Sequence, residues 1–375
     1  MPTPTYLTRL SRCFCLGALL LSGCSEAVAP AMEPTDFVSP GKFNVGHRIT
    51  SHTYTPAGTT EARTIRLVVW YPTLETAGEQ PLFRTGNVYL DAAPAPDEQF
   101  PVMVFSHGTT AFAEVAHPLS EHMASHGFVV VAPDHVGDTT ENINDSRQTE
   151  IYLERPQDIS ASLDWAYGLD ASDPLAGRLT DDVVVSGHSF GGFTVLLASG
   201  AQFPEGVLDS CTSPGGSGFC SNMTPENREG LAAGFLDERI DAVMAYAPGN
   251  AHELAPDGVA SITMPVLHMS ASHDQRTPNE TNGDLYWEAL NTSEALRVNF
   301  ETGGHHSFVI TCAVLPATGE GDGCGEGFVD WREAHRIMNT YSLAFARYHL
   351  FVDESAQGYL DGTEEVAPDL SLSFR

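Results

Sequence analysis

The 375-residue chain is predicted to fold as one α/β domain, a mostly parallel central sheet with helices on both faces. Three observations predict it. Apolar, β-branched runs alternate with helix-prone stretches. Several of the runs are continuously apolar, as strands buried on both faces are. No repeat or linker-like break follows residue 41. In chain order, strands are expected at 64–71, 101–106, 127–132, 182–187, 240–247, 264–270 and 296–301. Helices are expected at 113–125, 155–168, 190–200 and 285–291, with a long one near 331–351. The stretch 203–235, with Cys211, Cys220 and several glycines, interrupts the rhythm and reads as a small disulfide-containing cap or rim insertion.

Ahead of this domain, residues 1–23 read as a lipoprotein signal peptide: Arg9 and Arg12, an apolar run over 13–21, and the lipobox-like Leu21-Ser22-Gly23-Cys24. Cleavage there would leave Cys24 as a lipidated N-terminus. Residues 24–41, with Pro30, Pro34 and Pro40, then form a tether, and the domain occupies 42–375. The chain is therefore expected to be exported and anchored to a membrane through lipid. Ser25 stands where inner-membrane lipoproteins of this kind carry aspartate, which points to a Gram-negative outer membrane.

Cysteine usage agrees with export. Apart from Cys13, Cys15 and Cys24, four remain, and sequence proximity pairs Cys211 with Cys220 and Cys312 with Cys324. Neither spacing is that of a zinc site, and His117, His122 and His126 bring no acid onto a shared helix face, so no metal is expected. The formal charge is −31, with Lys42 the only lysine, and such a surface excludes nucleic acid as a partner. A monomer is expected.

The chemistry centres on Gly187-His188-Ser189-Phe190-Gly191, which follows Val183-Val184-Val185 and opens into a helix-prone segment. This strand–turn–helix context makes G-x-S-x-G a nucleophile elbow, and its glycines leave room for strand and helix to pack closely. A serine hydroxyl needs a base, and the base an orienting acid, in the chain order Ser, Asp or Glu, His. Asp274 lies just past the 264–270 strand. His305 and His306 lie just past the 296–301 strand, so all three fall on one rim of the sheet. His306, adjacent to His305, is an alternative base. The N–H groups of Phe190 and of Thr109, after the strand end Phe105-Ser106-His107-Gly108, are the candidate oxyanion donors. Asp134-His135 lies on the same rim, either lining the pocket or forming a turn.

Together, Thr64-Ile65-Arg66-Leu67-Val68-Val69-Trp70-Tyr71-Pro72, the Phe105–Gly108 strand end, Ala124-Ser125-His126-Gly127-Phe128-Val129-Val130, Arg155-Pro156-Gln157-Asp158-Ile159, the elbow and Gly304-His305-His306-Ser307-Phe308 resemble one branch of the α/β-hydrolases. It is the branch of platelet-activating factor acetylhydrolases and predicted dienelactone hydrolases, with bacterial polyester hydrolases and cutinases as neighbours. The resemblance runs from Lys42 to the C-terminus. It implies the α/β-hydrolase fold and cofactor-free cleavage of small-molecule or lipid carboxylic esters. Its Gly-His-x-x-Phe pattern selects His305, whereas the Gly-Gly-x-His pattern of polyester hydrolases would select His306. The acetylhydrolases can take the acid from the strand before, which implies the neighbourhood of Asp241 as the alternative to Asp274. Dienelactone hydrolases proper carry cysteine where Ser189 stands, which argues against a dienelactone substrate. A non-catalytic binding lipoprotein on the same fold is the contrasting expectation, but no triad member or elbow glycine is missing.

Overall fold

Alternate side chains of the apolar runs enter two separate cores, one on each side of the sheet. Val102, Val104, Val183 and Val185 pack with Phe193 and Leu197 in one core, while Met103, Phe105 and Val184 pack with Leu119, Met123, Leu343 and Phe345 in the other. Each fully buried side chain of this size contributes about 1.5–3 kcal/mol of transfer free energy. These runs therefore require cover on both faces. The computed structural model describes residues 35–144, 147–211 and 218–375. The expected signal peptide, Cys24 and most of the expected tether lie outside those residues.

The strands are β1 (Asn44–Tyr54), β2 (Arg63–Thr73), β3 (Val88–Leu90), β4 (Phe100–Ser106), β5 (Val129–Pro133), β6 (Leu179–His188), β7 (Ala242–Tyr246), β8 (Val266–Ala271), β9 (Ala295–Phe300) and β10 (Leu370–Phe374). They form one sheet in the order β10-β9-β8-β7-β6-β4-β5-β2-β1-β3. The sheet is parallel from β5 through β9, and β1, β2 and β10 join it antiparallel. Strand order reverses between β4 and β6, the kind of switch point where open α/β sheets leave a crevice at the carboxyl ends of their strands.

All seven expected strands form, within three residues at each end. β1, β3 and β10 were not expected. β1 carries Gly46 and several polar residues and leaves Ile49 exposed, so it lacks the apolar run that marks the central strands. Helices α1 (His117–Ser125) and α2 (Gln148–Tyr167) differ from expectation at their starts, while α3 (Phe190–Ala198) and the C-terminal helix Trp331–Phe351 begin where expected. α2 begins seven residues before the expected Arg155 and runs through Pro156. Its early turns are anchored by contacts remote in sequence: Ile151 and Tyr152 enter the core, and Glu154 accepts from Arg63 at 2.7 Å.

Residues 35–41, expected as the end of a tether, instead lie against the body. Phe37 is buried, Asp36 caps the Val38 and Ser39 amides, and Gly41 N–H donates to Ser125 Oγ at 2.8 Å. Proline content had signalled an extended segment but not its docking. Both expected disulfides, Cys211–Cys220 and Cys312–Cys324, are present.

Candidate active site

β6 delivers Ser189 into a turn that only a sterically bare neighbourhood permits. Ser189 has φ 58° and ψ −121°, outside the regions a side chain ordinarily adopts, at a strain on the order of 1–3 kcal/mol. Tertiary contacts hold it there: its N–H donates to the Tyr246 carbonyl at 2.9 Å, and its own carbonyl accepts from Gly249 and Phe193. The flanking glycines are required by space. A Cβ on Gly191 would lie 2.0 Å from the Ser106 carbonyl oxygen, and one on Gly187 would lie 2.3 Å from that of Gly191. Thr110, Ala247 and Asn250 are further non-glycine residues at positive φ, and Asn250 lines the same crevice as Ser189.

Asp274 stands in the turn after β8, and its carboxylate is fully engaged. Oδ1 accepts the Arg276 and Thr277 amides at 2.9 and 2.6 Å, and Oδ2 accepts Thr277 Oγ1 at 2.6 Å and His305 Nδ1 at 2.9 Å. Burial works to raise its pKa, but the hydrogen bonds and charge from His305 and Thr277 outweigh that and hold the carboxyl below its ordinary value. His305 opens a short helical turn, His305–Phe308, after β9. With Nδ1 on Asp274, its Nε2 is the nitrogen left for a reacting group. His305 N–H donates to Asp322 Oδ1 at 2.9 Å, and its carbonyl accepts from His188 Nε2 at 2.9 Å.

Geometry thus bonds His305 to Asp274, sets His305 and Ser189 on one cavity, and separates Asp241 from them. Asp241 precedes β7, at the opposite end of the sheet from Ser189, and accepts the Val183 N–H at 3.0 Å. His306 lines the crevice, but neither ring nitrogen has a protein partner. Burial, then the neighbouring His305, lowers its pKa to about 4, so the ring is neutral. His188 and Asp322 were missed as supports. A histidine inside the elbow carries no signal of its bond to a loop 117 residues away, and Asp322 sits in a glycine-rich loop without periodicity.

The crevice is a cavity of about 280 Å³ whose lining includes Thr109, Ser189, Phe190, Arg276, His305 and His306. A second cavity of about 190 Å³ shares Thr109, Phe190 and Asn250 with it and extends to Tyr152. Phe190 is the first residue of α3, so its N–H is one of the donors a helix cannot satisfy internally. Larger hollows lie elsewhere, one of about 580 Å³ beside Trp331 and His335 and one of about 700 Å³ beside Tyr54 and Leu236, and Ser189 lines neither. None of the described residues of 203–235 lines either cavity at the elbow. Phe203, Leu208, Phe219 and Leu231 join the core on the α2 and α3 side instead. His135 is wholly buried between Ser106 and Asp158 and does not line the crevice. His117, His122 and His126 bond Glu121, the Phe37 carbonyl and the Ser39 carbonyl respectively.

Three comparisons bear on this arrangement. The ferulic acid esterase from Streptomyces cinnamoneus superposes with a TM-score of 0.63, covering 91% of this chain and 99% of that one at 18% identity. The chain has the α/β-hydrolase fold. Residues 76–202 of the chain, which include Ser189 but neither Asp274 nor His305, match the chlorophyllase family model. Platelet-activating factor acetylhydrolases are also similar: that of Cavia porcellus is 26% identical over 167 residues, and that of Canis lupus familiaris 29% over 161. These matches cover 34% and 31% of this chain and only 38% and 36% of the relatives' own length. The Bos taurus protein is 27% identical over 170 residues.

The Cys312–Cys324 disulfide closes the loop that follows the His305–Phe308 turn, and Asp322, in that loop two residues before Cys324, accepts the His305 and His306 amides. A loop of this length contributes about 3 kcal/mol by constraining the unfolded chain. Replacing Cys312 and Cys324 together by serine is expected to lower the urea midpoint accordingly. It should also lower ester turnover at temperatures where the sheet is still folded, read by parallel circular dichroism and kinetic melts.

Proposed function

We propose that this hydrolase is a serine esterase that cleaves carboxylic esters through an acyl-enzyme. The observation that carries the reading is the strained Ser189, at φ 58°, on the same rim as the Asp274–His305 pair at 2.9 Å. Ser189 Oγ attacks the ester carbonyl carbon while His305 Nε2 takes its proton. The carbonyl electrons move onto oxygen, which the Phe190 and Thr109 N–H groups receive. The adduct collapses, the C–O bond to the alcohol breaks, and His305 returns the proton to the leaving oxygen. Water then repeats the sequence against the acyl-serine and releases the acid. Asp274, kept ionised, holds the imidazole with Nε2 free and balances its charge as it becomes imidazolium.

Small acyl esters and short-acyl phospholipids are the substrates we favour. The modest cavity and the likeness to acetylhydrolases support them. Export and lipid anchoring through Cys24 complete the proposal, supported by the signal-like residues 1–24 and by a disulfide pair that belongs to an oxidising compartment. The test is to treat the purified chain with a fluorophosphonate probe and with p-nitrophenyl esters from two to twelve acyl carbons, a short-acyl phospholipid and a polyester film alongside. Stoichiometric labelling and a preference for short acyl chains are expected. A folded chain that is neither labelled nor active would refute the reading, and preference for the film would move the substrate to polyesters.

A further inference from the structure

Behind the crevice lies a buried polar cluster that the ester chemistry leaves without a role: Arg155 of α2 with Asp138, Ser106, His107, His135 and Asp158. Arg155 is 1% exposed. Its Nη1 donates to Asp138 Oδ2 at 2.5 Å, its Nε to Thr194 Oγ1 at 3.1 Å, and its Nη2 to the His107 carbonyl. The guanidinium carbon also lies 4.6 Å from the centroid of the Phe190 ring. The rest of the cluster prevents it from swinging elsewhere. Asp158 is taken by Arg63, Tyr54 and His135, and His135 in turn accepts from Ser106 Oγ at 2.8 Å.

These partners flank both amides that would face the oxyanion. On one side, Asp138 Oδ1 accepts the Thr110 N–H at 2.9 Å and so holds Thr110 at φ 55°, directly after Thr109. The His107 carbonyl is gripped two residues before Thr109. On the other side, Thr194 Oγ1 donates to the Phe190 carbonyl at 2.7 Å, and the guanidinium lies against the Phe190 ring. Thr109 and Phe190 belong to segments 81 positions apart, joined to α2 through one planar fork. A lysine, with a single point of attachment, could not reach His107, Asp138 and Thr194 together.

We propose that Arg155, acting with Asp138, is a positioning residue that sets the spacing of the two oxyanion donors. The inference rests on the esterase reading above. The experiment compares Arg155→Lys and Asp138→Asn with the native full-length chain in three measurements. The first is kcat and KM on a short p-nitrophenyl ester, per fluorophosphonate-labelled site. The second is the affinity of a trifluoromethyl ketone, whose adduct carries the oxyanion. The third is amide hydrogen exchange over 107–111.

The expected result is a fall in kcat of about tenfold or more with KM nearly unchanged, since one whole oxyanion donor is worth about 10²–10³. Ketone affinity should fall by the same factor, and exchange over 107–111 should quicken while the β6 peptides stay protected. A structural ion pair alone would lower the labelled fraction and leave kcat per labelled site unchanged, which overturns the proposal. So would values within twofold of native in both variants. If Arg155→Lys does not fold, Asp138→Asn decides by the same criteria. If the native chain is inactive, the esterase reading fails, and exchange over 107–111 still decides whether the clamp holds.

Discussion

Replacing Ser189 by alanine is expected to remove ester turnover by on the order of 10⁴-fold or more, with the fold intact. The substitution deletes only Oγ. Alanine keeps the Cβ, so the strained φ of 58° is no easier or harder to hold, and the Tyr246, Gly249 and Phe193 backbone bonds around it are unaffected. The remaining His305 and Asp274 could at best activate water, without the covalent intermediate. Steady-state rates on p-nitrophenyl acetate, fluorophosphonate labelling and a urea denaturation curve together check this. A variant that keeps a tenth of native activity, or that is still labelled at another serine with native turnover, would dismiss Ser189 as the nucleophile.

The second large effect separates two adjacent histidines. His305→Ala is expected to cost several thousandfold in kcat, whereas His306→Ala should cost at most about tenfold. His305 reaches Asp274 at 2.9 Å, while both nitrogens of His306 lack a protein partner. Loss of His305 also frees the Asp274 carboxylate of the bond that lowers its pKa. In His305→Ala that pKa should rise, because burial then faces less opposition. In the native chain the pair persists above the ordinary carboxylate range and is lost only as pH falls below it, through the lowered Asp274 value. Kinetics of both variants, with carbon NMR of the Asp274 carboxyl, provide the measurement. Equal losses in the two variants would mean that the ring assignment is wrong.

The elbow was legible because steric demand writes itself locally: Gly187, Gly191 and Gly192 stand within a few residues of the serine they accommodate. Asp274 and the His305–His306 pair were legible by position, since each follows an apolar run whose strand end must lie on the Ser189 rim. The choice between the two histidines was legible only through the family pattern Gly-His-x-x-Phe, which selects His305, because neighbouring residues share the strand-end position. The short turn His305–Phe308 decides it by aiming only the first ring at Asp274. Likewise the early start of α2, seven residues before the expected Arg155, was not legible, because a partner that holds its first turns, Arg63, lies 91 residues from Glu154.

By itself the sequence determined the class of sheet and the central strands, and it offered the order Ser189, Asp274, His305 and the pairing of neighbouring cysteines as expectations. Each of these is carried by contiguous residues or by chain order. Only the tertiary structure decided that His305 and not His306 bonds Asp274, that the described residues of 203–235 pack beside α2 instead of lining the crevice, and that Arg155 joins the segments before Thr109 and after Phe190. Those outcomes depend on contacts across tens to hundreds of residues. Their energies exist only once the sheet has brought its strand ends to one rim, so no local pattern in the chain could encode them.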